Sequence, residues 1–546
     1  MATIISTITS IGIVLSPSDN PVSVTGTITP TSGIALYGPG DGTNSWTIDN
    51  AGLISASDTA SGHGILLGGS SAVAAGVVTN RSSGTITGGS IAVAINDTSQ
   101  ATVTNTGGVI AGGNYGVSVS GVGTVSNMSG GSIIGTSSSG TNAAAVFIYG
   151  SGAAGDQPNV QIYNAGSLTG ATGVEEFLGG SVTNASAGTI DGQTNFGVFL
   201  DGNGTLVNSG AISGTSVGAE VYEGGLVQNL AGGTISGGVG IYFGLNGGTV
   251  TNAGTVIGTS GDAVNFSAYK GASSYRLIAD PGAVFVGGIN GGAGVLELAS
   301  GSSAGSLSGI GTSITNFTSL QFDGAPWSLS GNATGFAAIG TITGLAAGDT
   351  IDLTDFAATA TGETFASGVL TLTNSASAAT TLNFPNAPDS TYFAFAPDGH
   401  GGTDIAGAGS GQTLAWAGGS GDWNDASNWL PQSVPTGFDT ATIANPGTVT
   451  LAAAANNAVA NVTIGSGDTL AVDGSLVVTG TAAIDAGGTL IDNRTLSAAA
   501  IVDNGLLAFT GNQTLDNTPL SLGGTLAVQN AGTLTLGTGE TINQTS

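Results

Sequence analysis

Three carboxylates recur at related places in a repetitive stretch of the chain: Glu175, Asp201 and Glu220. Counting back from the asparagine that ends each following segment puts Glu175, Phe199 and Glu220 at one position, nine residues before Asn184, Asn208 and Asn229. The position two residues on holds Phe177, Asp201 and Tyr222. In an extended chain alternate residues share a face, so acids and rings would stand side by side, with Glu176, Glu223, Tyr242 and Phe243 close by. Carboxyls grouped in this way suit glycosidic-bond cleavage, in which a protonated acid works with an ionised partner. Without catalysis the same surface suits sugar binding, with Phe177, Phe199, Tyr222, Glu223 and Tyr242 as ligand contacts. A polysaccharide lyase would want a basic residue, and the region offers only the distant Lys270.

Other chemistries lack material. The chain has no cysteine, which excludes disulfides and thiolate metal sites. Its two histidines, His63 and His400, lie 337 residues apart in glycine-rich segments, so no histidine triad or zinc site is expected. The GTSVG at 214–218 matches a nucleophile-elbow pattern, but in a chain crowded with glycine and serine the match is read as chance. No cofactor is called for. Calcium is the one ion that the acidic surface, and a single imperfect glycine–aspartate segment at 398–404 (DGHGGTD), would draw. That segment is read as a tight turn.

The acids and rings need a scaffold, and residues 173–258 supply one as four near-copies of a short unit. Each copy carries an apolar run, a corner asparagine and a Gly-x-Ile/Leu/Val segment that closes on glycine. Corner asparagines recur at Asn50, Asn80, Asn105, Asn127, Asn164, Asn184, Asn208, Asn229 and Asn252, mostly 20 to 25 residues apart. The two long intervals hold insertions at 70–75 and 150–159, which belong on a loop face. Units this short cannot bury a face alone and must stack. The spacing predicts a parallel β-solenoid of about nine coils, on the order of 40 Å long at about 4.8 Å per rung. Val182, Leu206, Val227 and Val250 form one expected inward ladder, and Ile190, Ile212, Ile235 and Val256 a second. Stacked amides at the asparagine corners should satisfy one another, which makes that row structural.

Composition agrees with an all-β chain. Of 546 residues, 98 are glycine, without the G-X-Y period of collagen. Only 7% are charged, and the apolar residues recur in register, which argues against disorder. Four Lys+Arg stand against 33 Asp+Glu, a formal charge of −29. That leaves no basic footprint for nucleic acid and disfavours anionic lipid. No apolar run is long enough for a membrane-spanning helix, and the first residues lack the basic region and cleavage site of a Sec signal.

With corners such as TNAGTVIG, VNSGAISG and YNAGSLTG, residues 46–258 resemble the passenger regions of bacterial autotransporter-like and adhesin-like β-helix proteins. The resemblance implies a right-handed parallel β-helix, exported and shown at or released from the surface of a Gram-negative cell, where it meets a host or neighbouring cell through glycans or protein. It implies an adhesin or scaffold acting through a rigid repetitive face. A polysaccharide-binding or polysaccharide-degrading enzyme is the alternative, and self-association through coil ends a further one.

The divisions expected are a cap at 1–45, the main β-helix at 46–282, an irregular β-rich continuation at 283–405, a linker at 406–415 and a second β-solenoid at 416–546. Trp416, Trp423 and Trp429, read as a plug for the open end of that solenoid, also have the makings of a sugar platform. No translocator-like run of aromatic-girdled strands follows, so either another machine exports the chain or the chain is part of a longer one.

Overall fold

The computed structural model describes the chain except residues 1–2, 41–44, 70–74, 97–99, 137–142, 151–159, 267–274, 325, 347, 386–392, 407–412, 433, 436, 438, 454, 516–517, 531–532, 537–541 and 545–546. Lys270 and nearly all of both predicted insertions therefore lie outside the described residues. Two compact units divide at Met1–Gly344 and Leu345–Ser546. Between them they hold about 20 parallel solenoid turns.

Through most of the first unit each turn consists of three short strands, and every third strand pairs in parallel. Gly204–Asn208, Ala211–Gly214 and Val217–Val221 pair with Gly225–Asn229, Thr234–Gly237 and Val239–Phe243 of the next turn. The three columns so formed are an asparagine face, an isoleucine face and an acid–aromatic face. Val182, Leu206, Val227 and Val250 stack in register and are fully buried, as expected. Ile190, Ile212, Ile235 and Val256 stack likewise on the second face. Burying each such side chain contributes about 1.5–3 kcal/mol, repeated turn after turn.

The nine corner asparagines are all buried, and each amide donates to the next. Asn50 Nδ2 donates to Asn80 Oδ1 at 2.8 Å, and the chain of bonds continues through Asn105, Asn127, Asn164, Asn184, Asn208 and Asn229 to Asn252 at 2.8–3.0 Å. The ladder is bounded by apolar residues in the same register, Val24 before Asn50 and Ala279 after Asn252. The opening residues are thus not a separate cap. Thr3–Ile5 pairs with Val22–Val24, which pairs with Ser45–Asn50, so turns in register are present from the start. Val24 is buried where Asn50 would predict an asparagine, because an apolar residue can occupy the inward position without needing a partner.

Later turns of this unit are drawn from long strands that run round a corner, Thr255–Phe266 and Val284–Leu298, with register shifts along their pairing. At the last turn a short helix, Ala333–Ala337, follows Trp327–Gly331 and precedes Thr341–Thr343. It stands where the acid–aromatic face would have its strand.

The second unit opens differently. Thr350–Leu353 pairs antiparallel with Thr403–Ala406, which pairs antiparallel with Ala394–Pro397. Ala358–Ala366, Val369–Asn374 and Ala379–Asn383 form an antiparallel meander. Ser367 and Gly368, both at positive φ (51° and 77°), make the two-residue turn that returns the chain on itself. The expected continuation at 283–405 therefore splits: parallel turns persist to Thr343, and antiparallel hairpins follow. From Thr413 parallel pairing resumes, through Thr440–Ile443, Asn461–Ile464 and Ser475–Ile484 on one side and Gly447–Leu451, Asp468–Val472 and Thr489–Asp492 on another. Among the described residues no helix is long and apolar enough to cross a membrane.

Candidate functional site

The register of the acid–aromatic face assembles the predicted residues and extends their row. Phe147 pairs with Glu175, Glu175 with Phe199, Phe199 with Glu220 and Glu220 with Tyr242. Rings and carboxyls alternate along the stack, all of them half-buried. The alignment of Glu175, Phe199 and Glu220 holds. Tyr242 joins the same row rather than lying beside it. It is displaced in a count from Asn252 because the corner after it carries one more residue, with Asn246 at φ 64° and Gly247 at φ 80° absorbing the extra turn. Phe147 was hidden by the insertion between it and Asn164.

Rings thicken the row at its N-terminal end. Tyr115 stacks on Phe147 with centroids 4.4 Å apart, Tyr149 lies 5.0 Å and Phe177 5.9 Å from Phe147, and Phe177 lies 5.5 Å from Phe199. Phe196 is 5.3 Å from Phe199. Tyr222 is 40% exposed, at the corner after Glu220. Asp201, half-buried, accepts the Gly202 amide at 3.0 Å, and Glu223 is half-buried beside Tyr222.

Glu176 and Phe243 do not belong to this surface. They point inward, in one ladder with Ile148, Leu200, Val221 and Phe266, and are fully buried. The Glu176 carboxylate accepts three backbone amides, from Leu178 at 2.6 Å, Gly180 at 2.9 Å and Gly179 at 3.1 Å. It stitches a corner, and its position next to Glu175 on a two-residue period put it on the opposite face.

Burial sets the electrostatics of the row. The Glu220 carboxyl, between Phe199 and Tyr242, is pushed up to about 7 by loss of water. Glu175, between Phe147 and Phe199, is pushed up for the same reason. Tyr115 is raised by burial and by the negative charge of Glu175. A carboxyl that keeps its proton near neutral pH donates a hydrogen bond as well as accepting one, which widens what the row can hold.

The other features singled out by the sequence are structural. Trp416, Trp423 and Trp429 are buried, packed edge to face at 5.0 and 4.9 Å, and sit in the core of the second solenoid. Trp429 Nε1 donates to the Trp423 carbonyl at 2.8 Å. They plug a core and present no platform. Asp398 closes the expected tight turn by accepting the amides of His400 and Gly402, each at 2.7 Å. Among the described residues no group of three or more His, Cys, Asp or Glu is placed to hold a metal ion. No model of a known protein family matches the chain and no curated protein matches it, so the chemistry of the row itself carries the functional reading.

Proposed function

We propose that this chain is an exported bacterial surface or extracellular protein that acts as an adhesive scaffold, holding the acid–aromatic row out to a glycan on a rigid solenoid. The alternation Phe147–Glu175–Phe199–Glu220–Tyr242 carries the reading. Aromatic edges and faces meet the apolar sides of sugars, and carboxyls meet hydroxyls. Contacts repeated at every rung sum to avidity, and the asparagine ladder keeps the rungs in register.

Polysaccharide hydrolysis is the second reading, favoured by one observation: Glu220 is held protonated to about 7, as a general acid requires. Glu175 stands two rungs away, about 9.6 Å by strand spacing, at the wide limit of the separation found in inverting glycosidases. The ring of Phe199 occupies the rung between them, where the sugar and the attacking water would have to sit. Binding is therefore the better reading of the same residues.

The deciding experiment incubates purified protein with neutral and acidic polysaccharides and measures both retained protein and released oligosaccharide. Retention without release supports the adhesive scaffold. Release that disappears in Glu220→Gln would make the protein an enzyme. Neither signal would remove the glycan from the reading.

A further inference from the structure

The row does not stop at Tyr242. Tyr242 pairs with Asn265, Asn265 with Asn290 and Asn290 with Thr315, all on the same face. At the next turn the helix Ala333–Ala337 replaces the strand, and a cavity of about 630 Å³ opens between that helix and the preceding turns. Its floor is apolar, with Ile310, Ile314 and Phe317 buried, while Asn316, Thr334 and Ala338 line it from exposed positions. Asn316 Nδ2 donates to Asn290 Oδ1 at 2.9 Å, tying the wall of the cavity to the row.

Three surfaces thus follow one another along one face: rings alternating with carboxyls, then amides, then an apolar-floored cavity with a polar rim. The rung repeats about every 4.8 Å, close to the advance of one pyranose along an extended β-1,4-linked chain. A strand laid along the solenoid would meet one row residue per sugar. The cavity falls within the range of about 300–1,000 Å³ usual for small-molecule sites. It offers an apolar floor to a ring face and polar groups to equatorial hydroxyls. Charge narrows the choice further. At a formal −29 the protein repels polyuronates, and two copies of a row bearing the same carboxyls would oppose each other.

We propose that this face is a track for a single uncharged, extended β-1,4-linked glycan strand, one sugar per rung from Phe147 to Thr315, with the terminal sugars seated in the cavity. The proposal rests on the adhesive reading above and adds to it the ligand class, the direction of the strand and an end-binding pocket.

Titration of the full chain with cellotriose, cellohexaose, maltohexaose and hexagalacturonate tests it. Cellohexaose should bind at least tenfold more tightly than cellotriose. Maltohexaose, which coils, and hexagalacturonate, which is anionic, should show no such gain. Ala338→Trp and Thr334→Trp, both at exposed positions, fill the cavity without touching the core. Each should cut cellohexaose affinity at least tenfold while leaving the melting temperature unchanged, and Phe199→Ala should cut it similarly from the middle of the track. Equal affinities for triose and hexaose, or full affinity in both cavity-filling variants, would overturn the track. Retention on polysaccharide with either of those results leaves the adhesive reading standing and removes only the track. Loss of all retention removes both.

Discussion

Buried polar corners are handled in opposite ways in the two solenoids. In the first, nine asparagines stack, each amide donating to the next carbonyl, so the ladder satisfies itself at 2.8–3.0 Å. In the second, single aspartates occupy inward positions at strand ends: Asp492 between Val472 and Phe509, and Asp503 between Ile484 and Leu522. Both side chains accept the amide two residues on, Arg494 at 3.1 Å and Gly505 at 2.9 Å, as Asn50, Asn164, Asn208 and Asn252 do. The geometry is the same. The difference is repetition, because Asp503 Oδ2 is buried with no hydrogen-bond partner, and burial raises both aspartates above the usual carboxylate range. A polar group in an inward ladder is cheap when its neighbours are identical and titratable when it is alone.

The sharpest way to break this comparison is to place in the first solenoid an inward acid that, unlike Glu176, no backbone amide holds. Val182→Asp puts a carboxylate between Ile162 and Leu206 with no stacking partner. It should destabilise the first unit by about 4 kcal/mol, read by urea unfolding. Unfolding at the parental midpoint would mean that the inward register is wrong.

Removing one member of the ladder should cost slightly less. Asn184→Ala removes four hydrogen bonds, those with Asn164 Nδ2, Asn208 Oδ1 and the carbonyls of Gly188 and Ala211, while Asn164 Nδ2 and Asn208 Oδ1 keep their backbone partners. Each lost hydrogen bond costs about 0.5–1.5 kcal/mol net, so a loss of about 3 kcal/mol is expected. Asn184→Asp should be no better than alanine at neutral pH, since a carboxylate cannot donate to Asn208.

How much of this was legible varied with repetition. The inward ladders and the corner asparagines recur as identical residues, so the sequence alone places them. The row was legible only where spacing was uniform: Glu175, Phe199 and Glu220 aligned, while one extra corner residue displaced Tyr242 and an insertion hid Phe147. Glu176 could not be separated from Glu175 by type, only by which side of the strand it faces. The end of the parallel turns at Thr343 was invisible because hairpin residues such as Ser367 and Gly368 resemble solenoid corners. The cavity drew on three successive turns and a five-residue helix with no period to betray it.

In the second unit the comparison predicts a pH effect with a definite sign. Burial holds the folded-state pKa values of Asp492 and Asp503 above the ordinary carboxylate range. Their protonated forms are favoured by folding. Their contribution is fully present below the unfolded pKa and declines as pH rises through the raised folded values. Asp503→Leu continues the apolar ladder of Ile484 and Leu522. It should therefore stabilise the second unit by about 1 kcal/mol at pH 7, and the gain should vanish near pH 4. A gain independent of pH would show that packing alone, and not the buried charge, distinguishes this corner from the asparagine ladder.

The smallest effect is expected on the acid–aromatic row, and its smallness is informative. Glu175 faces outward and is half-buried, and Glu175→Gln keeps its shape while removing a charge that burial already disfavours. Stability at pH 7 should change by no more than about 0.5 kcal/mol, with any shift toward greater stability and fading as the pH falls through the raised pKa. A loss of several kcal/mol would mean that the carboxylate is a structural element like Glu176, held by backbone amides. Near-neutrality, beside the large cost of Val182→Asp in the same turns, would mean that the solenoid does not depend on this carboxylate, leaving the row available for a ligand.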